Sequence, residues 1–151
     1  MNENEILIIF GTETGNAEEL SETAAKMASD YDLIGNVMDM DDVTTDILLK
    51  TKKLMVICST WGDGEQPVNA EDLYESTNEL NEGALSELYF SVLALGDTAF
   101  DLFCESGKEW DNVLEEKGAS RVIDRIDCDT DYDDDAEDWI GRAFENFKKL
   151  I

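Results

Sequence analysis

The sequence has no histidine, one proline and only 11 basic residues against 37 acidic ones. With so few lysines and arginines, no basic patch can form to release counterions from a phosphate backbone, which argues against a nucleic-acid partner. The net charge of −26 also disfavours anionic membranes and steers the chain towards basic partners. Cysteine is scarce: Cys58, Cys104 and Cys128 are scattered and odd in number, with no CxxC and no metal-ligand spacing. They read as reduced, packed thiols, and no metal site is expected. No apolar run approaches membrane-spanning length, and no signal peptide precedes the first apolar segment. A cytoplasmic monomer with no membrane contact is the expectation. What remains is 42% apolar over 151 residues, enough for one domain, 1–151, with a real core.

Apolar runs alternate with amphipathic ones. Strands are expected at 6–10, 33–39, 54–58, 90–95 and 121–127. Helices are expected at 15–29, 43–49, 69–80 and 105–117, and a last one carries Ala136, Trp139, Ile140, Ala143, Phe144 and Phe147 at helical spacing. Five strands alternating with five helices imply an α/β three-layer sandwich around a parallel sheet. The runs at 6–10, 54–58 and 90–95 are apolar throughout and belong in the centre; 33–39 and 121–127 are more polar and belong at the edges. Right-handed crossovers then favour a five-stranded sheet in the order 2-1-3-4-5. In such a sheet the ligand crevice lies beyond the carboxyl ends of strands one and three, which here means loops 11–16, 59–67 and 96–104.

The first loop, Gly11-Thr12-Glu13-Thr14-Gly15-Asn16-Ala17, joins a buried strand to a helix N-terminus. Unpartnered N–H groups and the positive end of the helix dipole suit an anion there. The loop lacks Lys and Arg, so backbone amides and hydroxyls would do the holding. It is neither a Walker loop nor GxGxxG. The second loop, Ser59-Thr60-Trp61-Gly62-Asp63-Gly64-Glu65-Gln66-Pro67, presents a large aromatic in a glycine-rich turn. The third, Leu95-Gly96-Asp97-Thr98-Ala99-Phe100-Asp101-Leu102-Phe103-Cys104, presents a second. Phe103 and Trp110 read first as core. A phosphate nest and two aromatics at one crevice suit a flat, phosphorylated aromatic ligand such as flavin mononucleotide (FMN).

These three loops resemble those of the flavodoxin family, short-chain type, along the whole chain. Gly11 to Glu19 is similar to the family's phosphate loop, Ser59 to Glu65 to the loop that wraps the flavin ring, and Leu95 to Phe100 to the third loop, where Phe100 stands in place of the usual Tyr. Phe103 to Asp111, with Asp129 to Trp139, is similar to the FMN module of the sulfite reductase flavoprotein and of cytochrome P450 reductases. The resemblance implies non-covalent FMN and a low-potential one-electron carrier without a substrate of its own. It implies that Thr12, Glu13, Thr14, Gly15, Asn16 and Ala17 hold the phosphate, with the Glu13 carboxylate turned away. Ser59 and Thr60 lie at the strand end, with Thr60 towards the phosphate or ribityl chain. Trp61 and Phe100 stack on the ring, Gly62 and Asp63 address its N5 next to Gly64, and Gly96 and Asp97 offer backbone contacts to the pyrimidine edge, beside Leu95. Phe103 to Gly107, including Cys104, line the far side. Glycine makes a peptide flip at Gly62 inexpensive, and the carboxylates of Asp63, Glu65, Asp97 and Asp101 lower the potential for the last electron. Expected partners are basic-faced redox proteins, such as a ferredoxin or flavodoxin–NADP reductase and an electron acceptor. Two alternatives stand beside this: an FMN-dependent NAD(P)H or quinone reductase-type enzyme, and a stand-alone FMN subunit of a diflavin-like reductase. A receiver-type signalling domain is disfavoured, because Gly11-Thr12 and Ser59-Thr60 occupy the places of its acidic pair and phosphoacceptor.

Overall fold

The computed structural model describes residues 4–60, 64–99 and 102–150. Along the chain run β1 (Glu5–Gly11), α1 (Asn16–Ala28), β2 (Ile34–Asp39), α2 (Thr45–Lys50), β3 (Lys53–Ser59), α3 (Val68–Asn78), β4 (Tyr89–Leu95), α4 (Glu105–Glu116), β5 (Ser120–Arg121), β6 (Ile126–Cys128) and α5 (Asp133–Lys148). The sheet is parallel in the order β2-β1-β3-β4-β5, with β6 also paired to β4.

Side chains alternate across each strand, so one strand feeds two cores. Ile6, Ile8, Met55, Ile57 and Leu93 pack with Leu20 and Ala24 of α1 and Trp139, Ile140 and Phe144 of α5. Leu7, Ile9, Leu54, Val56 and Val92 pack on the other face with Leu48 of α2, Leu73 of α3 and Trp110, Val113 and Leu114 of α4. Burial on both faces is why β1, β3 and β4 read as unbroken apolar runs. Each fully buried Leu, Ile or Phe contributes roughly 1.5–3 kcal/mol.

The expected strand 121–127 is interrupted. Of this stretch only β5 and β6 pair with β4, and residues 122–125 lie between these two pairings. Asn146 Nδ2 donates to the Val122 carbonyl at 2.8 Å, and Trp139 Nε1 donates to the Asp124 carbonyl at 3.0 Å. Side chains of α5 thus take carbonyls that a continuous edge strand would leave open. The excursion is further held by Asp111 of α4, whose carboxylate accepts from Arg121 Nε at 2.8 Å and from Arg125 at 3.0 Å.

Candidate functional site

Register brings the strands to a common rim. Gly11 lies opposite Cys58, Cys58 opposite Ala94, and Leu95 opposite Cys128. A cavity of about 250 Å³ opens there, lined by Thr14, Asn16, Ser59, Thr60, Leu95, Gly96, Asp97, Leu102, Cys104, Asp129, Thr130 and Tyr132. It sits at the winding reversal between β1 and β3, where ligands of doubly wound sheets bind.

The first loop is built to leave a helix end uncapped. Gly15 is the N-cap of α1 at φ +92°, and no side chain caps the helix. That left-handed conformation costs glycine little and other residues more. The Gly15 N–H donates to Thr12 Oγ1 at 2.9 Å, which fixes the turn. The first intrahelical bond runs from Glu19 N–H to the Gly15 carbonyl at 3.0 Å, so the N–H groups of Asn16, Ala17 and Glu18 have no acceptor within the helix. Thr14 and Asn16 face the cavity, whereas the Ala17 side chain is in the core. Glu13 does turn its carboxylate away: it accepts from the Val68 N–H at 2.6 Å, at the start of α3. Asn69 of the same helix accepts from the Thr12 N–H at 2.9 Å. Two α3 residues therefore brace the loop.

In the second loop, Ser59 and Thr60 line the cavity. The Thr60 hydroxyl has a structural task the sequence did not reveal: its Oγ1 accepts from the Ser106 N–H at 3.0 Å, in the first turn of α4. Ser106 Oγ in turn donates to the Glu65 carbonyl at 2.8 Å, so one fully buried serine ties residues on either side of the loop tip to α4. Gln66 extends the tie, donating to the Ser106 carbonyl at 3.1 Å and accepting from Trp110 Nε1 at 3.1 Å. Gly64, at φ +98°, packs so closely on Leu102 that an added Cβ would lie 2.6 Å from Leu102 Cδ1. The second and third loops therefore touch at that point. Trp61, Gly62, Asp63, Phe100 and Asp101 lie outside the described residues.

In the third loop, Leu95, Gly96, Asp97 and Cys104 line the cavity, while Phe103 is half-buried off its wall. The Gly96 N–H donates to the Cys128 carbonyl at 2.9 Å, and a Cβ on Gly96 would meet the Cys104 amide nitrogen at 2.8 Å. Cys104 is the N-cap of α4 in a left-handed conformation, φ 56°. Burial pushes its thiol up to about 12 and that of Cys128 up to about 11, so both stay protonated.

A fourth loop, between β6 and α5, completes the rim with Asp129, Thr130 and Tyr132. Asp129 accepts from Thr98 Oγ1 at 2.6 Å and from the Thr98 and Thr130 N–H groups at 3.2 and 2.8 Å. These bonds hold its carboxyl below the usual carboxylate range and fasten the third loop to the fourth. The sequence marks 129–139 only as part of a resemblance and assigns no site role to Asp129, Thr130, Tyr132 or Leu102, all of which line the cavity. The available signal was topological: a strand beside β4 also ends at the crevice. Among the described residues, no group of His, Cys, Asp or Glu is arranged to hold a metal ion, and no helix is long and apolar enough to cross a membrane.

A doubly wound α/β domain with an uncapped helix end and four loops around one crevice defines the class. The flavodoxin family model matches residues 8–139, and the chain belongs to the flavodoxin family. It is 40% identical over 136 residues to the sulfite reductase [NADPH] flavoprotein alpha-component of Bacillus subtilis, covering 90% of this chain and 22% of that protein. It is 36% identical over 146 residues to the corresponding component of Vibrio parahaemolyticus, covering 97% and 23%. The chain thus spans about a quarter of the length of the curated relatives it matches. Among solved structures, a Streptococcus pneumoniae TIGR4 flavodoxin aligns with a TM-score of 0.86 at 26% identity, covering 97% of this chain and 99% of that one. Oxidised flavodoxin 2 of Bacillus cereus aligns with a TM-score of 0.80 at 27% identity, covering 97% and 99%.

FMN is the cofactor of this family, and the family's work is electron transfer. The residues present fit that group. The α1 N-terminus offers unpartnered N–H donors to a phosphate, and Leu95, Leu102 and Tyr132 give the cavity apolar walls for a ring.

Proposed function

We propose that this chain is a single FMN-binding domain, 1–151, acting as a low-potential one-electron carrier between a reductase and an acceptor redox protein. The observation that carries this reading is the uncapped end of α1 opening into the same crevice as the apolar walls from β4 and the third loop. FMN, when bound, supplies one- and two-electron redox chemistry at its ring. The chain binds, orients and shields it. The N–H groups of Asn16, Ala17 and Glu18 and the Thr14 hydroxyl hold the phosphate; the Thr12–Gly15 bond keeps those amides convergent. Ser59 and Thr60 meet the chain linking phosphate to ring, with the Thr60 oxygen already committed to Ser106. Leu95 and Leu102 exclude water, and the Gly96 and Asp97 backbone meets the pyrimidine edge. By the resemblance, Trp61 and Phe100 would supply the stacking faces, Gly62, Asp63 and Gly64 the backbone on the N5 side, and Cys104, which lines the crevice, with neighbouring Phe103 the far side. Asp97 and Asp129 place negative charge on the crevice wall, which disfavours each added electron. The partners are basic-faced redox proteins, since rim carboxylates speed encounter with them more than they tighten it.

A second reading has specific support: relatives 40% and 36% identical are flavoprotein components of sulfite reductase. In that reading the domain is a stand-alone FMN subunit of a diflavin-like reductase. Both readings are tested on purified, flavin-loaded protein. A potentiometric titration gives a second-electron potential below that of free FMN, and NADPH alone does not reduce the protein without an added flavin reductase. A second potential at or above that of free FMN, or steady NADPH oxidation by this protein by itself, overturns the carrier reading in favour of an enzyme.

A further inference from the structure

The crevice shares one wall with a second, smaller cavity. That wall is the half-buried ring of Tyr132, the N-cap residue of α5. On one side the ring completes the crevice with Thr14 and Asn16. On the other lies a pocket of about 110 Å³, bounded by Glu19, Leu20 and Thr23 of α1 and by Asp133 and Glu137 of α5. Among the described residues, no lysine or arginine lines this second pocket. Burial, then the charges of Asp133 and Glu19, push the Tyr132 phenol above its ordinary value, so these carboxylates act on the ring's polar end.

We propose that Tyr132, with the carboxylates of Glu19, Asp133 and Glu137 behind it, makes this crevice selective for a flavin mononucleotide over a flavin adenine dinucleotide. The inference rests on the reading of the crevice as an FMN site with its phosphate at the α1 N-terminus. Both ligands present the same ring and the same first phosphate. The dinucleotide continues from that phosphate through a second phosphate to an adenosine. Tyr132 lines both cavities, so a continuation leaving Thr14 and Asn16 on the α5 side would meet it. Behind the ring the space is less than half that of the crevice, and three carboxylates border it. A second phosphate there faces like charge with no cation to offset it. Discrimination therefore comes from a clash and a repulsion aimed at the larger ligand, with no extra attraction for the smaller.

The test measures dissociation constants for FMN and for flavin adenine dinucleotide on the flavin-stripped chain, residues 1–151, by quenching of flavin fluorescence. Three proteins are compared: the unaltered chain, Tyr132→Ala, and the triple variant Glu19→Gln/Asp133→Asn/Glu137→Gln. The three carboxylates are exposed, so the triple variant keeps its core even if Tyr132→Ala does not. The unaltered chain is expected to prefer FMN by about 100-fold or more, and the triple variant to lose about tenfold of that preference. Raising salt should erode the preference of the unaltered chain and leave that of the triple variant flat, because screening acts on charges still present. FMN binding with an unchanged preference in both variants overturns this inference alone. Equal affinity of the unaltered chain for both flavins overturns it too. Failure of the unaltered chain to bind FMN at all overturns the reading of the crevice, and this inference with it.

Discussion

The indole N–H of Trp110 donates to Gln66 Oε1 at 3.1 Å, joining a fully buried aromatic of α4 to the end of the second loop. Tyr74 of α3 holds the same indole edge-on, at 5.4 Å between ring centroids. The second loop is thus anchored in the core layer between α3 and α4. Replacing Gln66 with Ala leaves the Trp110 N–H and the Ser106 carbonyl without this partner. A loss of about 1–3 kcal/mol is expected, seen as a fall in melting temperature of roughly 3–10 °C for a chain of this size. An unchanged thermal transition would show that the bond carries nothing.

Gly107 of α4 lies against Ala94 of β4 so closely that a Cβ on Gly107 would run into the Ala94 Cβ. Gly107→Ala is expected to destabilise by about 1–3 kcal/mol through overpacking, despite alanine's better helix propensity. Adding Ala94→Gly should recover part of the loss, because the two changes share one contact. Chemical denaturation of the single and double variants checks this; additive losses would place the cost elsewhere.

The buried thiols give a pH dependence of known sign. Cys104 and Cys128 are raised from 9.0 to about 12 and about 11, so the folded chain keeps protons that the unfolded chain gives up first. Their contribution is neutral below about pH 9 and turns against folding as the pH rises through the window from 9 to about 12. Stability should fall across that window, and Cys104→Ala should flatten the decline. At pH 8 a disulfide-exchange reagent should label the three cysteines slowly in the native protein and completely in denaturant; rapid native labelling would contradict their burial.

Asp129 is opposite in sign. Hydrogen bonds from Thr98 and Thr130 hold its carboxyl low, so its tie between the third and fourth loops persists above the ordinary carboxylate range and is lost only as the pH falls through the depressed value. Asp129→Asn should weaken flavin binding at neutral pH and remove the corresponding acid-side step in affinity below about pH 4. Asp97→Asn removes charge from the same wall and should raise the second-electron potential by tens of millivolts, on the order of 30 mV for a charge about 10 Å away at an effective dielectric near 40. A potential that stays put would remove Asp97 from the account.

The sheet order was legible because β1, β3 and β4 are buried on both faces and carry that burial as unbroken apolar runs. The fifth strand was not, because its interruption depends on Asn146 and Trp139, side chains of a helix that follows it and reaches back to carbonyls of 122 and 124. The strand, tight turn and uncapped helix start of the first loop were legible from the local pattern, since a strand, small residues and a helix start lie side by side in the chain. Partners distant in sequence were hidden: Glu13 with Val68, Thr60 with Ser106, and the Tyr132 wall, each set by packing between elements.

The central claim is that the end of α1 holds a phosphate in this crevice. Titrating the flavin-stripped chain with FMN and, separately, with riboflavin, which lacks the phosphate, tests it most directly. The account predicts one FMN per chain with quenched fluorescence, and riboflavin binding weaker by about 100-fold or more. Equal affinity for the two, or no saturable binding of FMN, would contradict it.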